Sequence, residues 1–221
     1  MKRLIKKLLF IFIAIVIITS FILSESNRDS NLKECVKSSN DTLVLVNRRY
    51  YLPKDYIPND LMVPNIKFSS HMTNEEKKMR KDAAKALEDM CKEAKKDEIF
   101  IYGLSGYRSY KSQVETYNQR IERVGREEAD KYVASPGHSE HQTGLAMDIT
   151  NKTGGGSFGK SKEGKWLRSN ADKFGFIIRY PKEKERITGY SYEPWHIRYV
   201  GKKAASEIKN RNLVLEEYLE N

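Results

Sequence analysis

Two short stretches of this chain concentrate groups that can do chemistry: Ser139-Glu-His-Gln-Thr-Gly-Leu-Ala-Met-Asp148 and Glu193-Pro-Trp-His196. They supply two imidazoles, a carboxylate suited to bind metal beside them, and a further carboxylate. A hydrolytic zinc site needs three protein ligands, a fourth position left open for water, and a nearby base to take that water's proton. His141, Asp148 and His196 suit the first role, and Glu193 suits the second. A single histidine in a strand is ordinarily a hydrogen-bonded core or surface residue. The four groups together outweigh that bland reading.

The elements around these residues place them. Gly144 permits a backbone conformation closed to other residues, and Leu145, Met147 and Ile149 alternate with Ala146 and Asp148, so a turn followed by a strand is predicted. No H-E-x-x-H helix occurs. Trp195, Ile197 and Tyr199 alternate with His196, Arg198 and Val200 behind Pro194, which predicts a second strand with His196 on the face opposite Trp195. A bend at Pro194 would bring Glu193 beside a metal-bound water. Arg108 follows the apolar run Ile99-Phe-Ile-Tyr102 and precedes a helical pattern starting near Ser109. Such an arginine is often a plain surface charge, yet a hydrolytic site needs a fixed cation wherever a substrate carboxylate or a developing oxyanion must be held. Ser139 and Gln113 are weaker candidates for substrate hydrogen bonds, and Gln113 reads equally as a solvated first-turn helix residue.

With these residues in view, the pattern S-x-H-x-x-G-x-A-x-D followed by E-x-W-H resembles the VanY-like zinc D-alanyl-D-alanine carboxypeptidases, whose relatives cut D,D-dipeptides or the L,D bonds of peptidoglycan stems. The resemblance runs from about Thr42 to Ala205 and includes Leu43-Val-Leu-Val-Asn47, Ser105-Gly-Tyr-Arg-Ser109 and Ala134-Ser-Pro-Gly137. It implies that His141, Asp148 and His196 bind zinc, that Glu193 is the catalytic base, and that Arg108 contacts substrate or transition state. It also implies a fold shared with the zinc-binding signalling domain of hedgehog proteins.

Upstream, Lys2, Arg3, Lys6 and Lys7 precede an uncharged apolar run from Leu8 to Leu23, interrupted only by Thr19 and Ser20. No small-x-small cleavage site or lipobox cysteine follows, so residues 1–23 read as a single-pass membrane anchor with the catalytic part outside, a cleaved secretory signal being the alternative. Residues 24–41 read as a polar stalk and 42–221 as one domain. Strands are predicted near Leu43–Val46, Ile99–Tyr102, Leu145–Ile149, Phe176–Tyr180 and Trp195–Tyr199. Helices are predicted over Asn74–Lys95 with a Thr73/Glu76 capping box, Tyr110–Val124, Glu163–Phe174 closed by Gly175, and Lys202–Lys209. This is an α+β pattern, with helices around a small, mainly antiparallel sheet.

The remaining features are quieter. Of the net charge of +10, the four basic residues before the apolar run supply 4, and the remaining mild basic excess suits an anionic cell wall; its basic residues are interspersed with acids on helices, which argues against a nucleic-acid partner. Cys35 and Cys91 lack metal spacing and read as unpaired thiols, although an extracellular bridge between them is the alternative. His138 reads as a residue that backs the site without binding metal or lies on the surface, His71 as a surface residue near a helix start, and Gly154-Gly-Gly156 as a surface loop. Nothing in the sequence sets an oligomeric state. The expected function is a zinc carboxypeptidase removing the terminal D-alanine of peptidoglycan stem peptides. An L,D-carboxypeptidase or endopeptidase on the same polymer, and a non-catalytic zinc-binding wall module, are the alternatives, and a binding module would have no use for the base Glu193.

Overall fold

The computed structural model describes residues 34–35, 42–70, 72–152 and 158–220. The described residues from 42 onward cluster as one compact unit. The expected anchor, most of the stalk, His71 and Gly154–Gly156 lie outside the described residues, among which no helix is long and apolar enough to cross a membrane. Four strands, β1 (Tyr102–Ser105), β2 (Ala146–Thr150), β3 (Phe176–Tyr180) and β4 (Glu193–Tyr199), form an antiparallel sheet in the order β1-β2-β4-β3. Its main helices are α1 (Lys81–Lys96), α2 (Tyr110–Val124), α3 (Lys162–Asn170), α4 (Lys202–Asn210) and α5 (Leu215–Leu219). The expected α+β architecture is what the chain adopts.

Periodicity explains the core. Ala83, Leu87, Met90 and Ala94 recur at helical spacing on α1, are fully buried, and pack with Leu145, Met147 and Ile149 of the β2 region and Ile197 of β4. Cys91 beside that stripe is a free thiol, and burial pushes it up to about 12, so it stays protonated. A second cluster joins Ile177 and Val200 to Ala204, Ala205 and Ile208 of α4 and Leu215 of α5.

Several expected boundaries move. The Thr73/Glu76 bonds form as drawn, Thr73 N and Oγ1 to Glu76 Oε2 at 2.8 Å each, but they close an isolated turn. The helix begins only at Lys81, because Met79–Arg80 is taken up as a short strand against Leu61–Met62. The strand expected at Ile99–Tyr102 lies three residues later, with Ile99 and Ile101 buried in the core before it. After Asn170 the helix α3 tightens into a 3-10 turn, Ala171–Phe174, which Gly175 ends in the left-handed region at φ +87°. Leu43–Val46 is not a strand: Val44 and Val46 are buried, and the carbonyls of Thr42 and Val44 accept from Arg198 Nη2 at 2.9 and 2.7 Å.

That arginine belongs to a buried charge network. Glu140 Oε1 accepts from Arg179 Nε of β3 and from Arg198 Nη1 of β4, each at 2.7 Å. The Arg179 fork grips Glu216 at the start of α5 through two bonds of 2.8 and 2.6 Å, and Asn47 Nδ2 donates to the same carboxylate. Both arginines have no exposed surface, and Glu140 is 1% exposed. Two cations and two anions removed from water together are tolerable only when nearly every donor and acceptor is met. Replacing Arg179 by Met should therefore cost roughly 3–5 kcal/mol, read as a lower urea midpoint. An unchanged midpoint would show that the network contributes nothing to stability.

Candidate metal centre

Strand register brings the polar groups together. Asp148 on β2 lies opposite His196 on β4 and opposite Ser105 on β1, and directly paired residues share a face of the sheet. His141 comes from the 3-10 turn Glu140–Thr143, whose C-cap Gly144 adopts φ +68° before the chain enters β2. A side chain there would be strained, and its Cβ would also meet Leu61 Cδ2 at 2.8 Å. The predicted turn and strand are thus both present, with Gly144 as the hinge between His141 and Asp148.

The two imidazoles are oriented differently. His141 Nδ1 lies 2.8 Å from the Gly106 carbonyl, so it donates there and leaves Nε2 as a lone pair, 3.5 Å from Asp148 Oδ2. His196 Nδ1 stands 3.0 Å from Asp148 Oδ1 and 3.9 Å from Glu193 Oε2, while its Nε2 faces Glu140 Oε2 at 3.5 Å. Donors about 2.0–2.1 Å from a tetrahedral ion stand about 3.3 Å apart, and the 3.5 and 3.0 Å separations bracket that edge. Among the described residues, His141, Asp148 and His196 are the group whose ligand atoms all lie within 4.8 Å of one another. Asp148 Oδ1 is buried without a hydrogen-bond partner, as an oxygen turned toward a cation would be. These residues fit a divalent ion of borderline softness.

Electrostatics agree with that fit. Burial pulls His141 down to about 3, against the pull of Asp148, so its ring is neutral. Burial works to raise Asp148, but His141 and His196 outweigh it and bring the carboxyl to about 2. Burial also works to lower His196, yet the adjoining carboxylates of Asp148 and Glu140 outweigh it and lift the imidazole to about 9. His196 therefore keeps a proton where the surrounding carboxylates call for positive charge. Burial pushes Glu193 up to about 8, with His196 opposing. For Glu140 the desolvation penalty is overcome by Arg179 and Arg198, which hold its carboxyl far below the usual range.

Every other residue expected at the site can be located. Arg108 follows β1; its Nη2 donates to Ser105 Oγ at 2.7 Å and its Nη1 to Gln113 Oε1 at 3.0 Å. Gln113 is 1% exposed and donates to the Ala134 carbonyl at 2.7 Å, so it is an interior brace for the guanidinium and not a solvated helix residue. Arg108, Gln113, Ser139 and Glu193 line, with the three ligand candidates, one cavity of about 500 Å³. His138 is buried with Nδ1 2.7 Å from the Asn47 carbonyl, outside the donor cluster, so the surface reading of it is corrected. Sequence reasoning missed Glu140, Arg179, Arg198 and Glu216. The available signal was arginine inside the apolar runs Phe176–Tyr180 and Trp195–Val200, where a charge must have a buried partner.

Residues 76–202 match the family model described as VanY, D-alanyl-D-alanine carboxypeptidase. The putative carboxypeptidase YodJ of Bacillus subtilis is 48% identical over 191 residues, covering 85% of this chain and 70% of that protein. A solved structure of the LdcB LD-carboxypeptidase, described as revealing the molecular basis of peptidoglycan recognition, matches at TM-score 0.80 and 47% identity, over 85% of this chain and 90% of that one. The vancomycin-resistance D,D-pentapeptidase VanY of a VanB-type cassette, solved with Zn(II), matches at TM-score 0.67 and 34% identity, over 80% of this chain and 98% of that one.

The brace on His141 can be tested through Gly106. A Cβ there would lie 2.5 Å from the Lys78 carbonyl oxygen and 2.7 Å from that of Glu76, and neither backbone group can swing away. Gly106→Ala should lower stability by about 1–3 kcal/mol and displace the carbonyl that orients His141, weakening divalent-metal binding in a competition titration. Wild-type stability and affinity would show that the loop yields freely.

Proposed function

The chain belongs to the VanY family of D-alanyl-D-alanine carboxypeptidases, and on that premise we propose that it is a zinc-dependent enzyme trimming the C-terminal D-alanine from peptidoglycan stem peptides. The observation that carries this reading is the convergence of His141, Asp148, His196 and Glu193 on one cavity. Zinc is supported by the donor set and by the Zn(II) complex of the VanY relative. The run Leu8–Leu23 would anchor the chain, with residues 24–41 as a stalk and the domain from residue 42 outside the membrane. The likeness to an LD-carboxypeptidase favours, as a second reading, an L,D bond before that D-alanine.

His141 through Nε2, Asp148 through its carboxylate and His196 through Nδ1 would hold the ion. Bound zinc supplies Lewis acidity toward the scissile carbonyl and lowers the pKa of water to near 7. Glu193 accepts the water proton on its carboxylate and returns it to the departing amine. The burial that raises its pKa suits this second transfer, and positive charge beside it favours the ionised form needed for the first. Glu140, fixed by Arg179 and Arg198, faces the far nitrogen of His196 and orients the ring. Arg108, braced by Ser105 and Gln113, pairs with the terminal carboxylate of the substrate, and Ser139 offers a hydroxyl on the same wall.

Metal analysis should find about one zinc per chain, lost in His141→Ala and His196→Ala. Glu193→Gln should keep the metal and lose on the order of 10²- to 10⁴-fold in turnover. Loss of zinc from Glu193→Gln would make Glu193 a ligand and sink the assignment. Because His196 holds its proton up to about 9 and must release it to bind, affinity should rise with pH below that value, by about tenfold per unit for one displaced proton. Competition titrations at pH 6, 7 and 8 measure the slope, and a flat profile would contradict it.

The role of Arg108 separates chain-end recognition from endopeptidase action. The wild type should strongly prefer a stem peptide with a free C-terminus over its C-terminal amide, and Arg108→Ala should lose most of that preference together with rate. Equal cleavage of acid and amide by the wild type would remove the carboxypeptidase reading. A slowed variant that still discriminates would assign Arg108 to the oxyanion.

A further inference from the structure

The catalytic cavity has a second guanidinium that the proposed reaction does not use. Gln113, Thr116 and Arg120 follow one another on α2 at spacings of three and four residues, which puts them on one helix face, and all three line the cavity. Arg120 is half-buried, and its Nε is shielded from solvent with no hydrogen-bond partner among the described residues. Every other arginine near the site is engaged. Arg108 is held by Ser105 and Gln113, while Arg179 and Arg198 are saturated by carboxylates and carbonyls.

A shielded guanidinium N–H without an acceptor is costly, and native proteins rarely leave one so without a reason. The acidic groups of the cavity do not satisfy it. Glu140 is committed to Arg179 and Arg198, and Asp148 and Glu193 stand by His196. The acceptor that fits is an anion entering with the substrate, and a guanidinium fork matches a carboxylate with two parallel bonds. Arg120 lies seven helical steps beyond Gln113, the brace of Arg108, a rise of about 10 Å. That is of the order of two or three residues of extended peptide. Arg120 is therefore displaced along the cavity from the cation assigned to the chain end.

We propose that Arg120 forms a second anion subsite, which binds a carboxylate carried on the acyl side of the scissile bond and makes the enzyme prefer stem peptides in which that carboxylate is free over those in which it is amidated. This rests on reading the cavity as the binding site of a stem peptide. It adds a substrate feature that His141, Asp148, His196, Glu193 and Arg108 do not sense.

The test compares two synthetic stem peptides, both with a free C-terminal D-alanine, that differ only in carrying acyl-side carboxylates or carboxamides. The wild type should favour the acid by about 10- to 100-fold in kcat/KM. Arg120→Gln should bring the ratio near one through KM, with kcat on the acid little changed, because the contact lies away from the reacting atoms. Arg120→Lys, which keeps the charge but not the fork, should retain part of the preference; matching melting curves establish that the variants are folded. Titration calorimetry with the same peptides lacking the terminal D-alanine reads the subsite without turnover and should show the same ratios. Equal use of acid and amide by the wild type, or a preference that survives Arg120→Gln, would overturn the proposal. If the wild type cleaved neither peptide yet bound the acid form through Arg120, the carboxypeptidase reading would fail and the subsite would stand.

Discussion

The carboxylate of Glu140 is the group around which this domain is organised. It sits one residue before a metal-ligand candidate, accepts from arginines on β3 and β4, and turns its second oxygen toward His196. Through Arg179 it reaches Glu216 and the C-terminal helix, and through Arg198 it reaches the carbonyls of Thr42 and Val44. Segments distant in the chain thus meet at a point adjacent to the candidate metal site. Removing these charges from water is expensive, and their mutual attraction offsets the cost only if the geometry is held. The same requirement holds His196 in one orientation, so stability of the fold and preorganisation of the ligand set depend on the same contacts.

Around that point the protein assigns different tasks to chemically similar groups by varying their surroundings. Three carboxyl groups stand close together, two buried and one partly so: Glu140 is kept ionised by arginines, Asp148 by imidazoles, and Glu193 is raised by burial with weaker compensation. The first can fix a histidine, the second can face a cation, and the third can take and give a proton near neutral pH. The arginines divide in the same way. Two are saturated and structural, Arg108 is braced with donors still available, and Arg120 keeps a shielded donor unmet. Saturation separates groups that hold the site together from groups that meet a substrate.

Membership of a carboxypeptidase family with both D,D- and L,D-cleaving neighbours has a physical counterpart in this layout. On the proposed reading, the metal ligands, the base and the chain-end cation would act on the terminal residue and the scissile carbonyl, which both reactions share. Discrimination would then come from contacts farther along the acyl side. The wall of α2, where Thr116 and Arg120 face the cavity beyond Gln113, is the part of the structure disposed to make them.

The clustering of His141, Asp148, Glu193 and His196 was legible in the sequence because each pair depends on local geometry. His141 and Asp148 are related by one turn, one left-handed glycine and one strand, and Glu193 and His196 by a single strand start. The stripe on α1 was legible for the same reason, since helical periodicity is a short-range property. What depended on distant partners was not. Met79–Arg80 left the expected helix for a strand because Leu61–Met62 was there to pair with it, and Leu43–Val46 stayed out of a sheet because Arg198 took carbonyls of that segment. Nothing near Glu140 in the chain announces its arginines, 39 and 58 residues away. Nor does helical spacing say that Gln113 is buried and Arg120 unsatisfied. Sequence alone determined which donor groups are available to the site, because residue type and short spacing set them. Tertiary structure decided which charges are spent on holding the site and which remain to bind, because desolvation and pairing exist only once distant segments are packed together.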